Sequence, residues 1–109
     1  MRVDNIGEVI AVRRLFLLGE PDREILVKMG SPQKTPGERD FYCPFHITGV
    51  GDDRPQAIVR VDAFQAMQLA MQFIGGMLMQ LNRKNDGRLR WECDEQGGFG
   101  FPVLDVQDS

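Results

Sequence analysis

Residues 63–82 read AFQAMQLAMQFIGGMLMQLN, the longest stretch of the chain without a charged side chain. Apolar residues recur along one side of this stretch at the spacing of an α-helix, and glutamines recur along the opposite side. Asp62 is placed to cap the first turn. Gln65 follows three residues later, which is the spacing of a capping box. The sequence Asn85-Asp86-Gly87 is typical of a helix end. The pattern predicts one long amphipathic helix, against which the other elements pack.

The same helix is not expected to cross a membrane, although about 20 apolar residues can span a bilayer. Four glutamines and one asparagine interrupt the stretch and form a stripe along it. A stripe of polar side chains on one side is typical of a helix packed on a soluble core. We therefore predict no membrane partner.

Length, charge and cysteine content limit the classes of protein that remain. A chain of 109 residues is expected to form a single domain, residues 1–109. Its formal net charge of −3 argues against binding to nucleic acid, which usually needs a basic face. The two cysteines, Cys43 and Cys93, are too far apart for a CxxC motif. The first residues, MRVDNIGEVIAV, lack the pattern of a secretory signal, so we expect a cytoplasmic protein.

The first half of the chain predicts a β-hairpin. Residues 8–18 are rich in β-branched and large apolar types, as in a strand. Residues 19–22 contain Gly and Pro and predict a turn, after which residues 23–29 alternate with Ile25, Val27 and Met29 on one face. Residues 30–39, GSPQKTPGER, predict a long flexible loop.

A second pair of strands is predicted before the helix. Residues 40–48 alternate, but Pro44 cannot donate a backbone hydrogen bond, so we expect this strand at an edge or a bulge. Residues 49–55 predict a turn and residues 56–61 another strand. Its inward side chains are expected to be Ala57, Val59 and Val61.

After the helix, residues 88–93 predict a short strand with Leu89 and Trp91 on one side. Residues 97–102, GGFGFP, hold too much glycine for regular structure, and we expect their two phenylalanines to reach the core. Residues 103–109 form a tail that frays or adds an edge strand. The predicted fold is α+β: a four-stranded antiparallel meander, one long helix in the C-terminal half packed on one face, and a short return strand.

Four segments together resemble a known family: RRLFLLGEPDREILVKMGSP, FYCPFHITGVGDDR, VDAFQAMQLAMQFIGGML and the closing LRWECDEQGGFGFP. The chain resembles a family of small, uncharacterised bacterial proteins that form a domain of unknown function. The resemblance runs from about Ile10 to Pro102 and implies a free-standing bacterial cytoplasmic protein. It implies no catalytic residues.

No residue pattern amounts to a catalytic motif. His46 is the only histidine, and on an alternating strand it is expected at a surface or interface. Cys43 shares a strand face with large apolar residues and is expected to be buried and inert. Cys93 lies between two acidic residues, which disfavour a thiolate. We therefore assign no catalytic residue, and whether the chain is an enzyme stays open, with the balance against it.

Polar residues could still gather in a weaker site. The acidic residues Asp52, Asp53, Asp94 and Glu95 could meet at one end of the sheet, but they lack the spacing of a calcium loop. Arg13-Arg14 and the pair Arg88 and Arg90 lie near aromatic residues, as in an RNA-binding sheet, without an RNP motif. GGFGFP lacks the GK[ST] of a phosphate loop. We predict no metal and no cofactor.

The helix carries the most suggestive feature, an outer face with glutamines in place of the usual Glu and Lys. A partner that covers this face would explain the missing charges. The alternative is that glutamine is simply an uncharged helix former and that the glycine pair lets the helix bend. The predicted interface residues are Tyr42, Phe45, Leu69, Gln72, Gly76 and Met79.

Two functions follow from these patterns. The leading hypothesis is a non-enzymatic binding protein that self-associates as a homodimer, or binds another protein in the manner of an immunity protein or antitoxin. The competing hypothesis is a small-molecule-binding enzyme with a pocket between the sheet and GGFGFP. Its polar groups would be His46, Arg60, Asp94 and Glu95.

Overall fold

A computed structural model describes residues 3–50, 54–92 and 97–102. Across these ranges the chain forms one antiparallel sheet of six strands and one helix, which confirms the α+β class. In chain order the elements are β1 (Val9–Leu17), β2 (Glu20–Gly30), β3 (Gln33–Lys34), β4 (Phe41–Thr48), β5 (Gln56–Arg60), α1 (Ala63–Lys84) and β6 (Leu89–Trp91).

Helix α1 begins and ends as its sequence predicts. The Asp62 carboxylate accepts a hydrogen bond from the Gln65 backbone N–H at 2.8 Å. The Gln65 side chain reaches back to the N–H of Val61 rather than that of the cap itself. Arg83 and Lys84 lie in the last turn, where the negative end of the helix dipole favours cations.

The sheet is built from consecutive hairpins. β1 pairs with β2, β2 with β4 and β4 with β5, all antiparallel. β6 returns along the other side of β1, where Trp91 lies opposite Leu15. The meander and its short return strand are therefore confirmed, and α1 lies over β4 and β5.

Two details of the strands differ from prediction. The sheet has six strands, because residues 33–34 of the predicted loop pair with Phe41 and Tyr42 of β4. Two residues are too few to produce a readable alternation. The first turn is also tighter than expected, since β2 already begins at Glu20 and Leu17 lies opposite Glu20.

The position of Pro44 corrects a second expectation. β4 has β5 along one edge and both β2 and β3 along the other, so it is an interior strand and the edge alternative is wrong. The register places Pro44 between the stretch that pairs with β2 and the stretch that pairs with β3. The missing N–H of proline therefore falls at a natural break in the sheet.

The same register overturns the predicted inward face of β5. Ile58 lies opposite Cys43 on the helix side of the sheet, whereas Ala57 lies opposite Pro44 on the other side. Val61 is 72% exposed. Only Ala57 of the three predicted inward residues is buried, because pairing with β4 decides the face and alternation alone cannot.

The core lies between α1 and one face of the sheet. Its strand side chains include Ile25, Val27 and Met29, which share one face of β2 as predicted. From the helix come four residues at helical spacing, Ala66, Ala70, Ile74 and Leu78. Burying a side chain the size of Ile74 or Leu78 contributes about 1.5–3 kcal/mol, so this layer is a major source of stability.

Residues 97–102 complete the core beside the helix. Phe99 is buried and Phe101 packs against the cluster, as predicted for the two phenylalanines. A side chain at Gly75 would lie 2.9 Å from the carbonyl oxygen of Pro102, so glycine there lets the segment approach the helix. We call residues 97–102 the C-terminal strap.

Candidate functional site

The outer face of α1 brings four predicted interface residues together. Leu69, Gln72, Gly76 and Met79 are spaced three or four residues apart and lie on one side of the helix. Gly76 and Met79 are exposed, and Leu69 and Gln72 are half-buried. No atom would contact a side chain added at Gly76, so the surface there is open.

Sequence reasoning missed two large exposed residues of the same helix. Phe73 is 51% exposed and Phe64 is 84% exposed. At 3.6 residues per turn, both lie outside the row of core residues on the helix. That position could have predicted their exposure. Phe73 lies one turn from Leu69 and enlarges the helix face.

The predicted interface residues on β4 do not join that face. Phe45 is 1% exposed and belongs to the core, so the folded chain cannot offer it to a partner. The prediction is wrong for Phe45 because its ring fills space in the core beneath α1. Tyr42 is half-buried and, three residues away on the same strand, lies on the opposite face of the sheet.

Strand β1 carries a second apolar surface that the sequence analysis did not single out. Its exposed large side chains, together with one at the following turn, are Val9, Ile10, Val12, Phe16 and Leu18. We call this set the β1 patch. Sequence pattern predicts that β1 is a strand. It does not show that the first half of the strand is left exposed by the helix.

The predicted polar site does not assemble from the described residues. His46 lies opposite Lys28 on the face of the sheet away from the helix. Arg60 lies opposite Phe41, an odd number of residues from His46 along β4 and hence on the other face. Its guanidinium donates to the carbonyl of Val59 at 2.6 Å.

The four acidic candidates cannot be placed. Asp52, Asp53, Asp94 and Glu95 lie outside the described residues, as does Cys93. Within the described ranges, no three His, Cys, Asp or Glu side chains lie close enough to hold a metal ion.

A small cleft of about 180 Å³ does open between β1 and the helix. Its wall is mostly apolar, and its lining residues are Ala11, Val12, Arg13, Val27, Met29, Met71, Ile74 and Phe101. A catalytic pocket requires several polar groups that converge on a substrate. Arg13 is the one charged residue lining this cleft, and it already has partners in the fold.

Arg13 is held by three contacts with the end of the chain. Its guanidinium carbon lies 4.0 Å from the centre of the Trp91 ring and 4.7 Å from that of Phe101. Its Nη1 donates to the carbonyl of Phe99 at 3.0 Å. The arrangement fastens the C-terminal strap to β1, so the Arg13 side chain already has partners within the fold.

Gly100 is the residue that lets the strap pass over this cluster. Its φ is +77°, and a side chain there would collide with the Trp91 ring and with the Arg13 guanidinium. Gly100 of GGFGFP thus serves close packing, as the sequence indicates for this segment.

Cys43 behaves as a small core residue. Burial raises the pKa of its thiol to about 11, because the thiolate would lose its hydration. The thiol is therefore protonated at neutral pH, which makes it a poor nucleophile.

The comparisons with known proteins add a family. A family model described as a domain of unknown function, DUF6968, matches residues 11–103. No curated protein and no solved structure matches the chain. No helix in the described part of the chain is both long enough and apolar enough to cross a membrane. Since the family model covers most of the 109 residues, the chain belongs to the DUF6968 family.

Proposed function

We propose that this protein is a non-enzymatic binding protein whose working form is a homodimer. The observation that supports the proposal is the placement of its exposed large apolar side chains. Nearly all of those in the described residues lie on β1 with its following turn or on α1. Single exposed apolar residues are ordinary, whereas clustered ones are typical of surfaces that bind another protein.

The helix face supports the binding role through its lack of charge. Residues 63–82 contain no charged side chain, yet Phe73 and Met79 are exposed to water. A helix that faces only solvent normally carries Glu and Lys there. Methionine and glycine on this face suit close contact with a partner surface.

The cleft beside Arg13 does not favour the enzyme alternative. The two placed polar candidates, His46 and Arg60, lie on opposite faces of the sheet, and neither lines this cleft. An apolar cleft with one engaged arginine offers no group to transfer a proton or attack a substrate.

An immunity- or antitoxin-like role is a narrower form of the same proposal. The net charge of −3 suits a basic partner, since opposite charge speeds encounter. A binding screen against basic bacterial toxin enzymes tests this narrower role, and recovery of none of them would exclude it without affecting self-association.

Self-association is tested by light scattering over a hundredfold range of protein concentration. We expect a mass approaching twice the 12.4 kDa of the chain at the upper end. A mass of one chain at every concentration would refute the homodimer.

A further inference from the structure

The first half of β1 is exposed to an unusual degree. Val9, Ile10, Ala11 and Val12 are all exposed, with Val12 at 58%. These four consecutive apolar residues include side chains on both faces of the strand, and no described element buries them. Such a run is rare on a protein surface unless another chain covers it.

Among the described residues, one edge of the same stretch has no pairing strand. β6 pairs only with Leu15, Phe16 and Leu17. In the described part of the chain, no strand pairs with residues 9–14 on the side away from β2. A strand edge with free N–H and C=O groups is a template for another strand.

The other edges of the sheet are less suited to pairing. On β5, the Arg60 guanidinium occupies the carbonyl of Val59. β6 has only three residues. Of these strands β1 offers the longest edge with apolar residues, and its own pairing with β2 is irregular between Val9 and Ala11.

The charges at the two ends of the stretch suit pairing with a second copy of this chain. Glu8 precedes it and Arg14 follows it, and both side chains are exposed. If two copies pair antiparallel about a two-fold axis near Ala11, Glu8 of each copy lies beside Arg14 of the other. Parallel pairing would instead place like charges together, so the pattern is self-complementary in the antiparallel sense only.

Arg14 can make this contact without giving up its present one. It lies 3.6 Å from Glu24, and both side chains are largely exposed. An exposed pair of this kind is weak, and a guanidinium has five donors that two carboxylates can share.

We propose that the homodimer forms by edge-to-edge antiparallel pairing of β1 residues 9–14 from two copies, which would extend the sheet across the two-fold axis. This assignment rests on the proposed self-association and chooses between its two apolar surfaces. The helix face would then remain open on each copy.

The first test compares one substitution at two exposed valines. Val12→Lys places a charge in the paired edge, and lysine on an edge strand is a natural barrier to pairing. Val61→Lys makes the same change at a residue that is 72% exposed and lies outside the strands. We expect V12K to raise the dissociation constant of the dimer about tenfold or more and V61K to leave it unchanged.

The helix face supplies the competing variant. Leu69→Glu should leave the dimer intact if β1 forms the contact. A dimer that survives V12K and is lost in L69E would overturn the β1 assignment and keep the homodimer. A wild-type chain that stays monomeric would overturn both. Circular dichroism melting of each variant shows whether it is folded, so that loss of the dimer is not mistaken for unfolding.

A charge exchange tests the antiparallel register itself. Glu8→Arg and Arg14→Glu should each weaken association, because each places like charges together across the two-fold axis. The double variant restores opposite charges and should recover most of the wild-type affinity at low salt. Failure of the double variant to recover would overturn the antiparallel pairing, and the melting temperatures identify any loss that comes from Glu24 within the chain.

Discussion

The contacts of Arg13 predict a large loss of stability when this side chain is made apolar. We consider Arg13→Met, which keeps the length of the side chain and removes the guanidinium. The two ring contacts, at 4.0 and 4.7 Å, are worth about 1 kcal/mol each when partly shielded from water. A hydrogen bond from a charged donor adds about 1.5–3 kcal/mol.

These contributions are not additive, because the same guanidinium makes all three contacts and loses hydration on burial. We therefore expect R13M to lower the free energy of unfolding by about 2–4 kcal/mol. In a domain of this size that corresponds to a fall in melting temperature of roughly 10 °C or more. The strap should loosen as well, since Arg13 is its link to β1.

Urea unfolding followed by tryptophan fluorescence measures this effect. Trp91 is the only tryptophan and lies against the Arg13 guanidinium, so its emission also reports local release of the strap. Arg39→Met is the matched control, because Arg39 is exposed in the connection between β3 and β4. Unfolding free energies for R13M and R39M within about 0.5 kcal/mol of each other would refute the structural role of Arg13.

Three further predictions concern the strap and the core. Gly100→Ala should cost about 2–4 kcal/mol in urea unfolding, since it adds a collision to an unfavourable φ, whereas Gly97→Ala has open space and should cost about 1–2 kcal/mol. Equal losses would contradict the close packing at Gly100. Leu78→Ala should cost about 2–5 kcal/mol and the exposed Met79→Ala much less, as measured by thermal melting. The thiol of Cys43 should stay protonated in the folded chain as pH rises from its ordinary pKa of 9.0 towards about 11, while the unfolded chain loses that proton. Its contribution to stability should therefore fall across this interval and vanish in Cys43→Ala, which unfolding curves at several pH values would show; an identical pH dependence in that variant would exclude the effect.

Local patterns explain which parts of the fold could be predicted from sequence. The long helix follows from an uncharged 3.6-residue repeat with a cap at Asp62, and its observed start agrees. The shared face of Ile25, Val27 and Met29 in β2 follows from strict alternation. Both signals lie within a short stretch of chain, so no knowledge of distant contacts is needed.

The predictions fail where contacts between residues far apart in sequence determine the structure. The face of β5 depends on its register with β4, and the interior position of Pro44 depends on where β2 ends and β3 begins. Arg13 contacts Phe99, which lies 86 positions away in sequence. No pattern within β1 shows that the Arg13 side chain contacts two aromatic rings.

The candidate surfaces divide in the same way. The uncharged helix face can be predicted from composition along one element. The exposure of the β1 patch cannot, because it depends on the extent of β6 and on which strands α1 covers. Neither the extent of β6 nor the strands beneath α1 can be read from the sequence of β1.

Light scattering over a wide concentration range tests the central claim most directly. The proposed homodimer predicts a mass that rises from 12.4 kDa towards twice that value as the protein concentration increases. A mass of 12.4 kDa that does not change over the whole range would contradict it.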